Sequence, residues 1–166
     1  MIWFRKPKVK AQSAPELATS ILYNETTFYN QFVNDLNSAK EEVIIESPFI
    51  TINRLKTLIP IFKKLKNRNI QILIITRSPL EQDGYMGAQS ELGIQWFENM
   101  GIQVLIEYGG HHRKLAMIDK RITYEGSLNI LSQSQSLEFM RRIESKKLTE
   151  ELIKFIRYDG FSNYDD

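Results

Sequence analysis

A chain of 166 residues, 42% hydrophobic and 25% charged, has the size and composition of one soluble globular domain with its own core. It holds no cysteine, which excludes a disulfide framework, thiolate zinc sites and a cysteine nucleophile, and fits a reducing compartment. A net charge of +2 suits an anionic ligand and a solvated surface alike, and the solvated surface is the plainer reading.

The opening MIWFRKPKVK places its apolar residues before its basic run, the reverse of a secretory signal. No stretch approaches the roughly 18 apolar residues of a membrane span. A cytoplasmic protein is expected, with residues 1–20 as a poorly ordered tail and residues 21–166 as the folded domain. Asn24 then opens a helix whose Phe28, Phe32 and Leu36 fall four apart on one face. EEVIIESPF is a buried strand closed by Pro48. From Thr51 a second helical pattern runs through Ile52, Leu55, Leu58, Ile59, Phe62 and Leu65, and Pro60 inside it should kink or split the helix. IQILIITR carries no charge from Ile70 to Thr76 and should be a central strand. After the loop SPLEQDG, Leu92, Trp96, Phe97 and Met100 mark a third helix that Gly101 can cap. IQVLIEY, KLAMID and RITYEG read as strands, the last two joined by a tight turn near Lys120, and EFMRRIE adds another. Ser145 caps a final helix with Leu148, Leu152, Phe155 and Ile156 on its apolar face. Strands alternate with helices for two thirds of the chain and then pair locally, which predicts an α/β fold, a mixed β-sheet with helices on both faces.

Both histidines lie in HHRKLAMIDKRITYEGSLN, residues 111–129. On an extended strand side chains alternate, so His112 and Lys114 share one face while His111 and Arg113 share the other. Such a pair sets an imidazole that can attack or move protons beside an ammonium that can neutralise a phosphate oxygen. The small residues of GSLN let a backbone turn approach a ligand, and Ser127 and Asn129 can bind phosphate oxygens or the imidazole ring. Each residue also has a plainer reading. A lone histidine is usually a surface or core residue, Lys114 a solvated charge, and Asp119 with Lys120 a turn ending a strand. Arg113 and Arg121 could line a substrate path, but arginines flanking strands usually face water, and Glu125 is explained as well by an exposed strand end. Ser47 and Arg77 end predicted strands, where α/β sheets collect ligands. No metal or cofactor is expected, because adjacent strand histidines point oppositely and no H-E-x-x-H, D-x-D or cysteine cluster appears.

From His112 to Asn129 the order is H-x-K-x4-D-x6-G-S-x-N. This resembles the signature of the phospholipase D superfamily, named HKD for its His, Lys and Asp, and arises by chance with odds on the order of one in a million. The resemblance implies a phospholipase D/nuclease-like fold with one HKD half per chain and a covalent phosphohistidine intermediate. A second histidine, from a second copy of the motif, protonates the leaving oxygen. Residue by residue, it makes His112 the nucleophile or acid, Lys114 the phosphate clamp, and Asp119 a structural anchor. Ser127 and Asn129 contribute hydrogen bonds. Glu138, nine positions beyond Asn129, matches the acidic residue that orients the histidine through its other ring nitrogen.

Short single-motif members of the superfamily resemble stand-alone nucleases and the nuclease domains of restriction enzymes and helicases, and GSLNILSQSQSLEFMRR is similar to the helicase-associated group. The resemblance therefore implies a metal-independent endonuclease for DNA ahead of RNA, with a helicase or restriction-type partner and no membrane insertion. Basic residues of FKKLKNR and EFMRRIESKK would hold phosphates outside the site. Two rivals stand beside it: a phosphatidyl transferase-type lipid enzyme with an apolar entrance near His112, and a non-catalytic nucleic-acid-binding module. Because His111 and His112 are neighbours, they cannot face each other across one phosphate, so a homodimer with the active site at its interface is expected.

Overall fold

The computed structural model describes residues 19–156. In chain order its elements are β1 (Thr19–Asn24), α1 (Phe28–Ser38), β2 (Glu42–Glu46), α2 (Ile52–Asn67), β3 (Gln71–Arg77), α3 (Gly84–Asn99), β4 (Gln103–Glu107), β5 (Leu115–Ile118), β6 (Ile122–Gly126), β7 (Phe139–Glu144) and α4 (Lys146–Phe155). The strands form one sheet in the order β1-β7-β6-β5-β2-β3-β4. β2, β3 and β4 run parallel, as their helical crossovers require. The other pairings are antiparallel.

Side-chain alternation gives the sheet two apolar faces. Val43, Ile45, Ile72, Ile74, Ala116, Ile118, Tyr124 and Met140 pack with the buried faces of α1, α2 and α3. Ile44, Leu73, Ile75 and Met117 point the other way, against Leu152, Ile153 and Ile156 at the end of the chain described. The expected mixed sheet between helices on both faces is thus present. Among the described residues no helix is long and apolar enough to cross a membrane.

Several elements differ from the sequence reading. β1 was not expected: its apolar residues run consecutively as Ile21, Leu22 and Tyr23, without the alternation that marks a half-buried strand. It is an edge strand held by β7 alone, and Leu22 stays 60% exposed. Of the tail expected over residues 1–20, Thr19 and Ser20 belong to this strand, and the rest lies outside the described residues, as do residues 157–166 of the domain. Asn24 ends β1 rather than capping a helix, and its Oδ1 accepts the N–H groups of Thr26 and Thr27 to shape the turn into α1. β3 has neighbours on both sides but lies next to the sheet edge, and β5 holds the middle. α2 runs unbroken through Pro60, which is exposed, so water can satisfy the carbonyl left without its N–H donor. In α4 the exposed face takes Leu148 and Phe155, while Thr149 is buried and its hydroxyl meets that of Thr123.

Three residues of the basic runs, Lys66, Arg68 and Arg142, serve the framework. Lys66 donates to the Gly101 carbonyl, and Arg68 to the carbonyls of Asn37 and Ala39, at the end of α2 away from its Thr51 cap. Arg142 is buried in a two-pronged pair with Asp35, which also accepts the Tyr124 hydroxyl. That network sits beside the stacked and edge-on rings of Phe28, Phe32 and Tyr124, and pins α1 to β6 and β7.

β5 and β6 are joined by three residues, 119–121, in a tight turn closed by the Arg121 N–H on the Ile118 carbonyl, in which Asp119 and Lys120 both have positive φ, at 53° and 50°. Such a turn matches the twist of the strands it joins. The Asp119 carboxylate reaches across to the start of β2 and accepts the backbone N–H groups of Lys40, Glu41 and Glu42 at 2.9–3.2 Å. Asp119 is therefore an anchor at the opposite end of β5 from His112. Asp119→Ala should lower the stability of the fold by about 2 kcal/mol, the scale of hydrogen bonds to a charged group, read as a lower urea midpoint with unchanged m-value. An unchanged midpoint would remove Asp119 from this role.

Candidate active site

Four segments converge where β2 and β3 end and β5 begins: the turn after β2, the turn after β3, residues 109–114, and the loop between β6 and β7. Their contacts are backbone-directed. The Ser47 hydroxyl lies 3.1 Å from the Phe49 carbonyl oxygen and accepts the Leu131 N–H at 3.1 Å. Thr51 N–H donates to the Leu131 carbonyl at 3.0 Å, and Tyr29 hydroxyl to that of Ile130 at 2.9 Å. Arg54 lies over the Tyr29 ring, 3.7 Å from its centroid, and donates twice to the Gln133 carbonyl. Ser47 is thus a loop tie and not a ligand contact.

Residues 109–114 are held from two sides. After β3, Glu81 accepts the N–H groups of Gly109 at 2.8 Å and Gly110 at 3.2 Å, and pairs with Arg77 at 3.3 Å. Both glycines have positive φ, a backbone that a side chain would strain. These two N–H groups, ahead of the arginine, hold the Glu81 carboxyl below its ordinary value. At the other end Arg113 forms two 2.8 Å hydrogen bonds with the fully buried Glu46 of β2.

Between these clamps the expected alternation holds. His112 is exposed, and Lys114 Nζ lies 2.8 Å from its Nδ1 and 2.9 Å from its carbonyl oxygen. Desolvation, then the Lys114 and Arg77 charges, hold the His112 imidazole below the ordinary histidine value, which favours its neutral form. Desolvation also lowers Lys114, opposed by the Glu138 carboxylate. His111 turns to the other side, where burial lowers it first, against the opposing pull of Glu46. Glu125, opposite Leu115 on β6, also belongs to that other side.

The remaining motif residues sit around this pair. Ser127 is tied to β7, donating its N–H to the Phe139 carbonyl and accepting the Phe139 N–H on its hydroxyl. Gly126 is needed because a Cβ there would lie 2.2 Å from the Phe139 carbonyl oxygen, so the close approach is to a neighbouring strand and not to a ligand. Asn129 Oδ1 is buried with no hydrogen-bond partner. Glu138 accepts from the Ser136 hydroxyl at 3.0 Å and acts electrostatically on Lys114; Nδ1 of His112 faces the lysine rather than this carboxylate. Phe49, Glu81 and Glu46 carried no motif and were not anticipated; Phe49 meets the His112 ring edge-on, with centroids 6.0 Å apart. A cleft of about 630 Å³ opens beside them, lined by Phe49, Asn129 and residues of α2 and α3. Among the described residues no group of three or more His, Asp or Glu side chains converges as metal ligands would.

A neutral imidazole beside an ammonium, both held on a rigid strand end, is equipped for phosphoryl transfer of the phospholipase D type. The chain belongs to the family described as "Cardiolipin synthase, PLD-like domain", whose model matches residues 32–159. Among curated proteins none matches its sequence. Its fold is similar to that of Nuc from Salmonella typhimurium, a phospholipase D family member, with TM-score 0.68 and 16% identity over 85% of this chain and 93% of that one. It is similar to NucT from Helicobacter pylori, with TM-score 0.64 and 17% identity over 85% and 94%. It also matches the phosphatidylserine synthase of Haemophilus influenzae Rd KW20, with TM-score 0.67 and 16% identity over 90% of this chain and 40% of that one.

An ammonium only donates, so the neutral His112 ring it touches carries its proton on Nε2. Nitrogen-15 NMR of the free protein should show that tautomer. Lys114→Met, which removes a nearby cation, should raise the His112 pKa toward the ordinary value of about 6.5. A fall, or no change, would remove Lys114 as a source of the lowering.

Proposed function

We propose that the chain is a phosphodiesterase that cleaves nucleic acid, DNA ahead of RNA, without a metal, at a site shared by two copies. The observation that carries this reading is the His112–Lys114 contact at the open end of β5, within the full HKD spacing. His112 attacks phosphorus and forms a P–N bond as the P–O bond to the leaving oxygen breaks. His112 of a second copy gives that oxygen its proton, then takes one from the water that hydrolyses the phosphohistidine. Lys114 and Asn129 neutralise and orient the phosphate oxygens.

For attack through Nε2 the proton must sit on Nδ1, so Lys114 has to leave that nitrogen for the phosphate. In this reading Glu138, whose charge acts on Lys114, then takes up the hydrogen bond of the Nδ1 proton. Support for nucleic acid over lipid comes from coverage and lining. The matched fold covers 93% and 94% of Nuc and NucT but 40% of the phosphatidylserine synthase. The cleft beside His112 carries the side chains of Asn53, Ser132 and Ser134, which an acyl chain would leave unsatisfied. The proposal places the activity in the cytoplasm, with a helicase or restriction-type protein delivering substrate.

The test is cleavage of single- and double-stranded DNA, RNA and cardiolipin vesicles in EDTA. DNA cleavage should persist in chelator, and His112→Ala should reduce it at least about a thousandfold, while His111→Ala costs far less. Loss on chelation with rescue by magnesium would reject the mechanism, and vesicle cleavage without DNA cleavage would replace the substrate. For the shared site, wild-type chains are exchanged with excess His112→Ala chains. Mutant chains should poison wild-type ones; activity that tracks the number of wild-type chains would reject the shared site.

A further inference from the structure

The cleft beside His112 is chemically unlike the cationic rim that holds it. Its charged lining residues are Arg54 and Asp83. Arg54 is engaged by the Gln133 carbonyl and the Tyr29 ring, and Asp83 caps α3 by accepting the Met86 N–H at 2.9 Å. What remains toward the opening is uncharged: Asn53, Ser132 and Ser134, with two aromatic rings. One ring, Phe49, also touches His112, so the cleft shares a wall with the reacting nitrogen. The other, Tyr85 in the first turn of α3, is 72% exposed, with no ring or hydrogen-bond partner among the described residues. Asn129, on the same wall, holds an acceptor oxygen without a donor.

A phosphodiester backbone would find no free cation inside this cleft, and an acyl chain would bury the Asn53, Ser132 and Ser134 side chains unpaired. A flat, uncharged group with polar edges fits both demands. The volume, about 630 Å³, is within the roughly 300–1,000 Å³ of sites that enclose small ligands. We infer that this cleft is a nucleobase subsite, which takes one unstacked base beside the scissile phosphate, with Tyr85 as its stacking platform and Phe49 between base and His112. The inference rests on the nuclease reading and deepens it. A base in a duplex must first be unpaired and extruded to enter, so the subsite makes single strands the preferred substrate.

The experiment uses the full chain and a short single-stranded DNA in which one abasic residue is stepped along the sequence. At one nucleotide position next to the cleaved phosphate, loss of the base should lower kcat/KM about tenfold, the scale of one base stacked on an aromatic side chain. Tyr85→Ala should lose the same factor on the intact strand and nothing further on that abasic strand, and Tyr85→Phe should retain it. Tolerance of the abasic residue at every position overturns the subsite, as do losses from Tyr85→Ala and the abasic residue that multiply, or duplex cut as fast as single strand. Each of these leaves the nuclease reading standing. Turnover of bis(p-nitrophenyl) phosphate with no cleavage of any nucleic acid overturns the nuclease reading and the subsite together.

Discussion

The site depends on the pair between the buried Glu46 and the half-exposed Arg113. Glu46 ends β2 directly opposite Leu115, fully buried, and a carboxylate left there without a partner would cost several kcal/mol. The guanidinium of Arg113 meets it with two hydrogen bonds of 2.8 Å, the fork geometry that a lysine would not reproduce. Arg113 is thereby committed to one face of the sheet. Alternation then sends His112 and Lys114 to the other face, toward the cleft and Phe49. A slip of one residue would exchange the two sets, leaving Glu46 unpaired and removing the reactive histidine from the cleft. The orientation of the His112–Lys114 pair is thus enforced from the opposite side of the sheet.

The acidic residues nearest the motif are mostly occupied with backbone. Asp119 holds three N–H groups at the far end of β5, Glu81 holds two ahead of His111, and Glu25 holds that of Glu138. The charges acting on His112 are consequently cations, Lys114 and Arg77, added to its desolvation. That environment favours a neutral imidazole, which suits attack and disfavours proton donation. Under the proposed mechanism a single copy is equipped for half of the reaction. Two copies meeting at one phosphate would divide the roles by repulsion, since a proton held by one imidazole opposes a second on its neighbour, and the anionic substrate favours the first.

The fold and the motif were legible to different depths. Periodicity disclosed α1 and α2, uninterrupted apolar runs disclosed β2 and β3, and the tight turn at Asp119 was visible as a polar interruption between two short apolar runs. β1 was hidden because an edge strand with exposed side chains imposes no pattern. In α3 the buried face is made by Gly87, Ser90, Gly93, Ile94 and Phe97, so small residues carry the contact and Leu92, the expected apolar marker, faces out. Gly93 shows why: a Cβ there would lie 2.4 Å from Ile50 Cγ2. Within the site, His112, Lys114 and Asn129 could be named because the motif spacing is fixed along the chain. Phe49, Glu81 and Tyr85 come from three other segments and meet the motif only through the order of the strands, which a local pattern does not encode.

Lys114 and the two clamps have opposite mechanical characters. The backbone of residues 109–114 is tied at Gly109, Gly110 and Arg113, so His112 is held in place whatever its neighbour does. Lys114 is partly desolvated, with its Nζ resting on a neutral ring nitrogen and a carbonyl, while Glu138 acts on it from outside hydrogen-bond contact. A phosphate oxygen offers that ammonium a full opposite charge at hydrogen-bond distance, a stronger partner than either. Substrate binding would therefore draw the lysine off Nδ1 while the histidine stays fixed, and the same movement that neutralises the phosphate frees the ring to adopt the attacking tautomer. Under the proposed mechanism the nucleophile would be unmasked by the charge it is to attack, a form of discrimination between phosphodiesters and uncharged esters that needs no additional residue.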